Sequence, residues 1–267
     1  MIGVELRLLL RRPRTWASVG LLVLLPTIVA AFLKVSGVAP RPGTGPAFLA
    51  AVLGNGSLFP VAALAIVLPL FLPVAVAVAA GDAVAGEAQA GTLRYLLLRP
   101  VSRSRLLVAK LVSILAFTLL SVTAVAASSY VVGTQLFGSH PLASSSGTTL
   151  STASATWRIL AAVLYVGWSM VGVGAVALFL STLTDSPLAA ALGAIALLVT
   201  SGVLVGLDAS ATIQPYLPTR YWLAFVDLFR DPVHNRDLLR GVALQGAYIA
   251  VFLGAAWANF STKDVTS

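Results

Sequence analysis

Apolar positions in this chain gather into long blocks. They do not recur at the spacing of a one-sided helix or strand. Six blocks stand out, near 16–34, 57–81, 106–133, 158–181, 187–207 and 239–260. A helix needs about 20 mainly apolar residues to cross a bilayer, so each block predicts a spanning helix. The first contains Pro26 and the second Pro60, Pro69 and Pro73. A membrane helix tolerates prolines when neighbours re-satisfy the freed carbonyls, so kinks are expected there. Val29-Ala30-Ala31 would suit removal of a leader, but the first apolar run is long for that and reads as a retained helix.

The stretches between blocks differ in kind. Residues 35–56 are rich in Gly and Pro, and 134–157 in Ser and Thr, as in solvated loops. Residues 208–238 hold Pro215, Pro218 and Pro232 around an aromatic, amphipathic piece, Tyr221 to Phe229. That piece is too short to span and predicts an interfacial or re-entrant helix before the last span. The fold class expected is all-α integral membrane, one domain over 1–267.

Composition supports this picture. The 267 residues are 58% hydrophobic and 10% charged, against about 25% charged in soluble domains. Mean hydropathy is +0.96. Cysteine is absent, which excludes disulfides and thiolate metal sites. The net charge of +8 could suggest nucleic acid, but the basic residues sit beside apolar runs. Lipid headgroups and topology control explain that placement better, so no nucleic-acid partner is expected. Ten of the 17 basic residues fall on one predicted side: Arg7, Arg11, Arg12, Arg14, Arg94, Arg99, Arg103, Arg105, Lys110 and Lys263. The bias predicts a multi-pass protein of a bacterial-type plasma membrane, with both termini cytoplasmic.

Chemistry of its own is not expected of this chain. A phosphate-cradling loop needs Gly before Lys and then Ser or Thr, whereas Lys34, Lys110 and Lys263 follow Leu33, Ala109 and Thr262. His140 and His234 fall in separate loops. Residues 57–80, 111–133, 159–181, 186–207 and 241–260 carry no Asp, Glu, Lys, Arg or His. Ion-coupled carriers usually place an ionisable group in the span, so energy is expected from outside the bilayer.

The densest signal is Gly81 to Lys110, between the second and third blocks. Leu93, Leu96 and Leu97 share one helix face, and Pro100 ends that helix near Arg99. Charge composition alone would make this a topology loop. Its residue order is more specific: Glu87, Gly91-Thr92, Leu96-Leu97, Pro100-Val101-Ser102-Arg103, then Lys110. That order resembles the signature of ABC-2 type transporter permeases, roughly E-x-x-x-G-T-x-x-x-L-L-x-x-P-V-S-R with a following Lys. The start, Val4-Glu5-Leu6 through Arg11-Arg12-Pro13, resembles the family's N-terminal elbow helix. Leu180-Ser181 through Asp185-Ser186 resembles its short inner loop, Leu217-Pro218-Thr219 its last outer stretch, and Phe260 with Lys263-Asp264-Val265 its ending. The Ser-rich stretch 134–157 is less typical of that family.

The resemblance implies the permease subunit of an ATP-binding-cassette transporter, exporting a hydrophobic or amphipathic compound such as a drug or lipid. It implies a second permease copy, identical or paralogous, and a cytoplasmic P-loop ATPase that binds ATP and Mg; this chain would hold no cofactor. The implied coupling helix uses Glu87, Gly91, Thr92, Leu93, Arg94, Leu96, Leu97, Arg99, Pro100 and Arg103. Ser181, Thr184 and Asp185 would form a second inner contact. Gly246, Ala250, Gly254 and Ala258 make a small-residue stripe suited to close helix packing, within the subunit or across a dimer. Two other readings remain: an ion or solute carrier or channel, and a non-transporting scaffold for a cytoplasmic partner.

Overall fold

The computed structural model describes residues 2–37, 49–91, 103–138, 142–143, 149–150 and 152–262. The described chain is helical apart from a two-residue antiparallel ladder, Leu142–Ala143 with Thr149–Leu150. Among the described residues six helices are long and apolar enough to cross a membrane.

An amphipathic helix, α1 (Ile2–Arg11), buries no residue and leaves Val4, Leu8 and Leu10 exposed. The break after it is local chemistry. Pro13 disfavours helical geometry at the residue before it, and Arg12 is extended, with ψ 122°. Pro13 then opens α2 (Pro13–Ser36), where its missing N–H costs nothing. Thr15, Val19, Leu22, Pro26, Ala30 and Leu33 bury one seam of α2. Leu21, Leu24, Ile28 and Phe32 remain exposed, an apolar face suited to lipid. Gly37 ends the helix at φ +62°, returning its N–H to the Leu33 carbonyl.

The second apolar block is two helices, α3 (Phe59–Val67) and α4 (Phe71–Gln89). Pro69 and Pro73 cannot donate to the helical ladder, and the chain turns over at Leu68–Leu70. Nearly all of α3 is buried, against the upper part of α5 (Arg103–Phe137). This crossing requires glycine. A Cβ on Gly56 would lie 1.9 Å from the Gly133 oxygen, and one on Gly133 2.3 Å from the Gly56 oxygen.

The most enclosed span is α6 (Thr152–Leu183), which carries Val166, Met170, Val173 and Leu178 into the core. A short corner leads to α7 (Pro187–Val205), capped by Ser186, whose Oγ accepts from the Ala189 N–H at 3.3 Å. The least enclosed span is α8 (Asn235–Thr262).

Between α7 and α8 the chain forms short 3₁₀ pieces, the longest at Trp222–Phe229 with Trp222, Phe225, Leu228 and Phe229 buried. Non-helical backbone next to lipid needs its carbonyls satisfied by protein. Side chains on the spans do this. Tyr165 donates to the Tyr221 carbonyl at 2.7 Å, Gln245 to Pro218 at 2.7 Å, Tyr248 to Tyr216 at 3.0 Å and Arg158 to Arg230 at 3.1 Å.

Two helices extend well past the apolar blocks that announce them. With 35 residues, α5 is about 52 Å long, against about 30 Å of hydrocarbon. Lys110 therefore lies inside α5 and Arg158 inside α6, and both are buried. The uncharged windows at 111–133 and 159–181 are real, but the helices around them are not free of charge.

Candidate functional site

Both described chain ends meet at one end of the bundle, where α1 docks on α5 and the last turn of α8 reaches its start. The centre of this region is Lys110. Its side chain is 4% exposed, and Nζ contacts Glu5 Oε1 at 2.8 Å and also Glu87 Oε1. Three elements converge on one cation: Glu5 from α1, Glu87 from the end of α4, and Lys110 from the second turn of α5. A lone buried ammonium is costly, so the two carboxylates are the condition for its presence there. An outer pair, Arg12 Nη1 to Asp82 Oδ2 at 3.1 Å, ties the end of α1 to α4 a second time.

A serine joins the same turn of α4 to α6. Ser181 Oγ donates to the Gly81 carbonyl at 2.7 Å and accepts from the Val84 and Ala85 N–H groups at 3.1 and 2.9 Å. A hydroxyl inserted into a helical ladder can locally open the helix. Here α4 stays helical through the contact, which lies beside Asp82 and ahead of Glu87. Gly81 also permits the close approach of α7, since a Cβ there would sit 3.0 Å from Ala191 N.

The residue order noted in the sequence has physical content where it is described. Gly91 takes φ +67° and leaves α4 in the left-handed conformation that ends many helices. Arg103 Nη1 donates to the Phe260 and Ser261 carbonyls at 3.1 and 3.2 Å, satisfying the C-terminus of α8. Thr92, Leu93, Arg94, Leu96, Leu97, Arg99 and Pro100 lie outside the described residues. Of the second expected contact, Ser181 is fully buried and committed to α4, Thr184 Oγ1 accepts from the Ser186 N–H, and Asp185 is exposed. In the small-residue stripe Gly246 approaches Trp168, whereas Ala250, Gly254 and Ala258 face outward.

The sequence did not reveal that Glu5 and Glu87 share Lys110, that Arg12 meets Asp82, or that Ser181 enters α4. The signal for the first was a single acid in a basic, Leu-rich start and a single Lys within an apolar span.

Beside the Lys110 cluster α1, α2, α4, α5 and α7 line a cleft of about 260 Å³. Glu5, Arg12, Arg14, Asp82 and Lys110 are its charged lining, and Ala79 and Phe117 are among its apolar walls. A second cleft of about 420 Å³, almost wholly apolar, lies at the α3–α4 break, between Pro69, Pro73, Val203 and Trp222.

Residues 23–266 match the family described as "Protein of unknown function (DUF2705)", and the chain belongs to that family. A comparison with curated proteins finds no match.

Proposed function

We propose that this chain is the membrane-spanning subunit of an ATP-binding-cassette exporter of the ABC-2 type. It would work in pairs with a separate P-loop ATPase that binds ATP and Mg. The observation that carries this reading is the residue order from Glu87 to Lys110 together with the anchoring of its two ends. Glu87 is tied through Lys110 to α5 and α1, and Arg103 is tied to α8. A helix docked in the ATPase and carried between such anchors moves four elements with it. Packed elements tend to switch between discrete arrangements, so a small displacement there is amplified. The basic residues of α1 and of the start of α5 support a cytoplasmic location for this end. On this reading α1 is the elbow helix, and Asp185 takes over the lesser inner contact that Ser181 cannot make. The apolar cleft at the α3–α4 break supports a hydrophobic or amphipathic cargo.

The test is co-expression with a candidate P-loop ATPase from the same genome, purification and reconstitution into vesicles. The expected result is a stable complex whose ATPase activity is stimulated by cargo and lost in Leu97→Asp. Hydrolysis by the chain alone, or a full complex with Leu97→Asp, would reject the proposal. A partner that binds without ATP-driven transport would favour the scaffold reading. Flux driven by an ion gradient without ATP would favour the carrier.

A further inference from the structure

We propose that the cleft between α1, α2, α4, α5 and α7 binds one phospholipid of the adjacent leaflet, with a preference for a primary ammonium headgroup over a quaternary one. The argument concerns this chain alone and stands whether or not it drives export.

The depth of the cleft in the bilayer comes from its neighbours. Trp16, half exposed, donates from Nε1 to the Leu10 carbonyl at 2.8 Å, and Arg14 stands two residues before it. A tryptophan beside arginines marks the headgroup level. The exposed apolar residues Val4, Leu8 and Leu10 on α1 suit a helix lying in that plane. The polar part of the cleft thus sits among headgroups, while Ala79 and Phe117 lie on the hydrocarbon side.

Charge then selects the headgroup. Lys110 is already satisfied by two carboxylates, and Arg12 by Asp82. Arg14 is the cation left over: it lines the cleft, is exposed, and has no acidic partner among the described residues. A guanidinium in that position suits a phosphate. The Asp82 carboxylate remains 28% exposed in the same cleft, with acceptor capacity beyond its bond to Arg12. A primary ammonium can donate hydrogen bonds to it, and a trimethylated one cannot. The site therefore carries a phosphate partner and an N–H acceptor together, above an apolar wall. That arrangement matches phosphatidylethanolamine. Phosphatidylcholine lacks the N–H donors, and phosphatidylglycerol lacks the cation.

The test is native mass spectrometry of the full chain, delipidated in detergent and titrated with each of these three lipids. The expected result is one phosphatidylethanolamine retained about tenfold better than phosphatidylcholine, the size expected for one charge-assisted hydrogen bond. Asp82→Ala, which removes the acceptor, should erase that preference without removing binding. Arg14→Gln should weaken all three lipids together. Ala79→Phe should fill the cleft and displace them. Comparing ratios within one variant separates recognition from any loss of stability. Equal retention of the ethanolamine and choline lipids, or a preference that survives Asp82→Ala, would overturn the proposal. So would undiminished binding in Ala79→Phe, or a lipid-free dimer that Ala79→Phe splits, which would assign the cleft to a second copy.

Discussion

At the scale of single residues, Lys110 and Arg158 make a controlled comparison. Both are buried cations inside spanning helices, but Lys110 has two carboxylates and Arg158 a backbone carbonyl. Breaking a buried pair by removing one partner costs about 3–5 kcal/mol, because the remaining charge is stranded. Lys110→Met strands two carboxylates. It should lower the melting temperature sharply, and adding Glu5→Gln and Glu87→Gln should recover most of the loss. Arg158→Met strands no charge but leaves the Arg230 carbonyl without its donor, so it should cost about 1–3 kcal/mol, less than Lys110→Met. Thermal unfolding in detergent ranks the variants; equal losses for Lys110→Met and Arg158→Met would refute the ion cluster. The importance of Glu87 and Lys110 was legible because their order along the chain is distinctive. The partnership with Glu5 was not, since it depends on how α1 docks against a helix over a hundred residues away.

At the scale of elements, the apolar blocks predicted the spans well because a run of about 20 apolar residues has few other uses. They predicted the helix limits less well. Hydropathy reports where a helix is apolar, whereas backbone hydrogen bonds decide where it ends, and α5 and α6 continue through polar residues on both sides. The prolines of the second block signalled a kink. They did not signal a separate buried helix, because Pro fixes local backbone geometry and the burial of α3 depends on Gly56 and Gly133. Those glycines can be tested against a third. Gly133→Ala places a methyl against rigid backbone, and overpacking of this kind costs about 1–3 kcal/mol or more. Gly254→Ala meets nothing within 4 Å and removes a flexible residue from a helix, so it should be neutral or slightly stabilising. Size-exclusion profiles after heating would compare them, and a Gly133→Ala protein as robust as Gly254→Ala would disprove the close crossing. Ser181→Ala should be intermediate, since it leaves the Val84 and Ala85 N–H groups without their hydroxyl acceptor, at about 1–3 kcal/mol.

At the scale of the whole molecule, the remaining question is which side of the membrane the Lys110 cluster faces. The fold puts both described ends, α1 and the last turn of α8, at one end of the bundle and the 3₁₀ segment at the other, but a fold has no inherent inside. Orientation rests on the basic residues, and their bias is uneven: Arg7, Arg11, Arg12 and Arg14 crowd the first helix, while Arg220, Arg230, Arg236 and Arg240 lie at the opposite end. The first group should dominate, because the first span usually sets topology and the second group is interspersed with Asp227, Asp231 and Asp237. The absence of cysteine makes the test direct. Ser261→Cys at the end of α8 and Asp208→Cys beyond α7 are both exposed and sit at opposite ends of the bundle. In intact cells a membrane-impermeant thiol reagent should label the cysteine at 208 and spare the one at 261, and inverted vesicles should reverse the pattern. Labelling of 261 in intact cells would put the Glu87–Lys110 cluster outside, out of reach of any cytoplasmic ATPase. Orientation alone would then defeat the exporter proposal, while the lipid cleft, which needs only a leaflet, would simply face the other one.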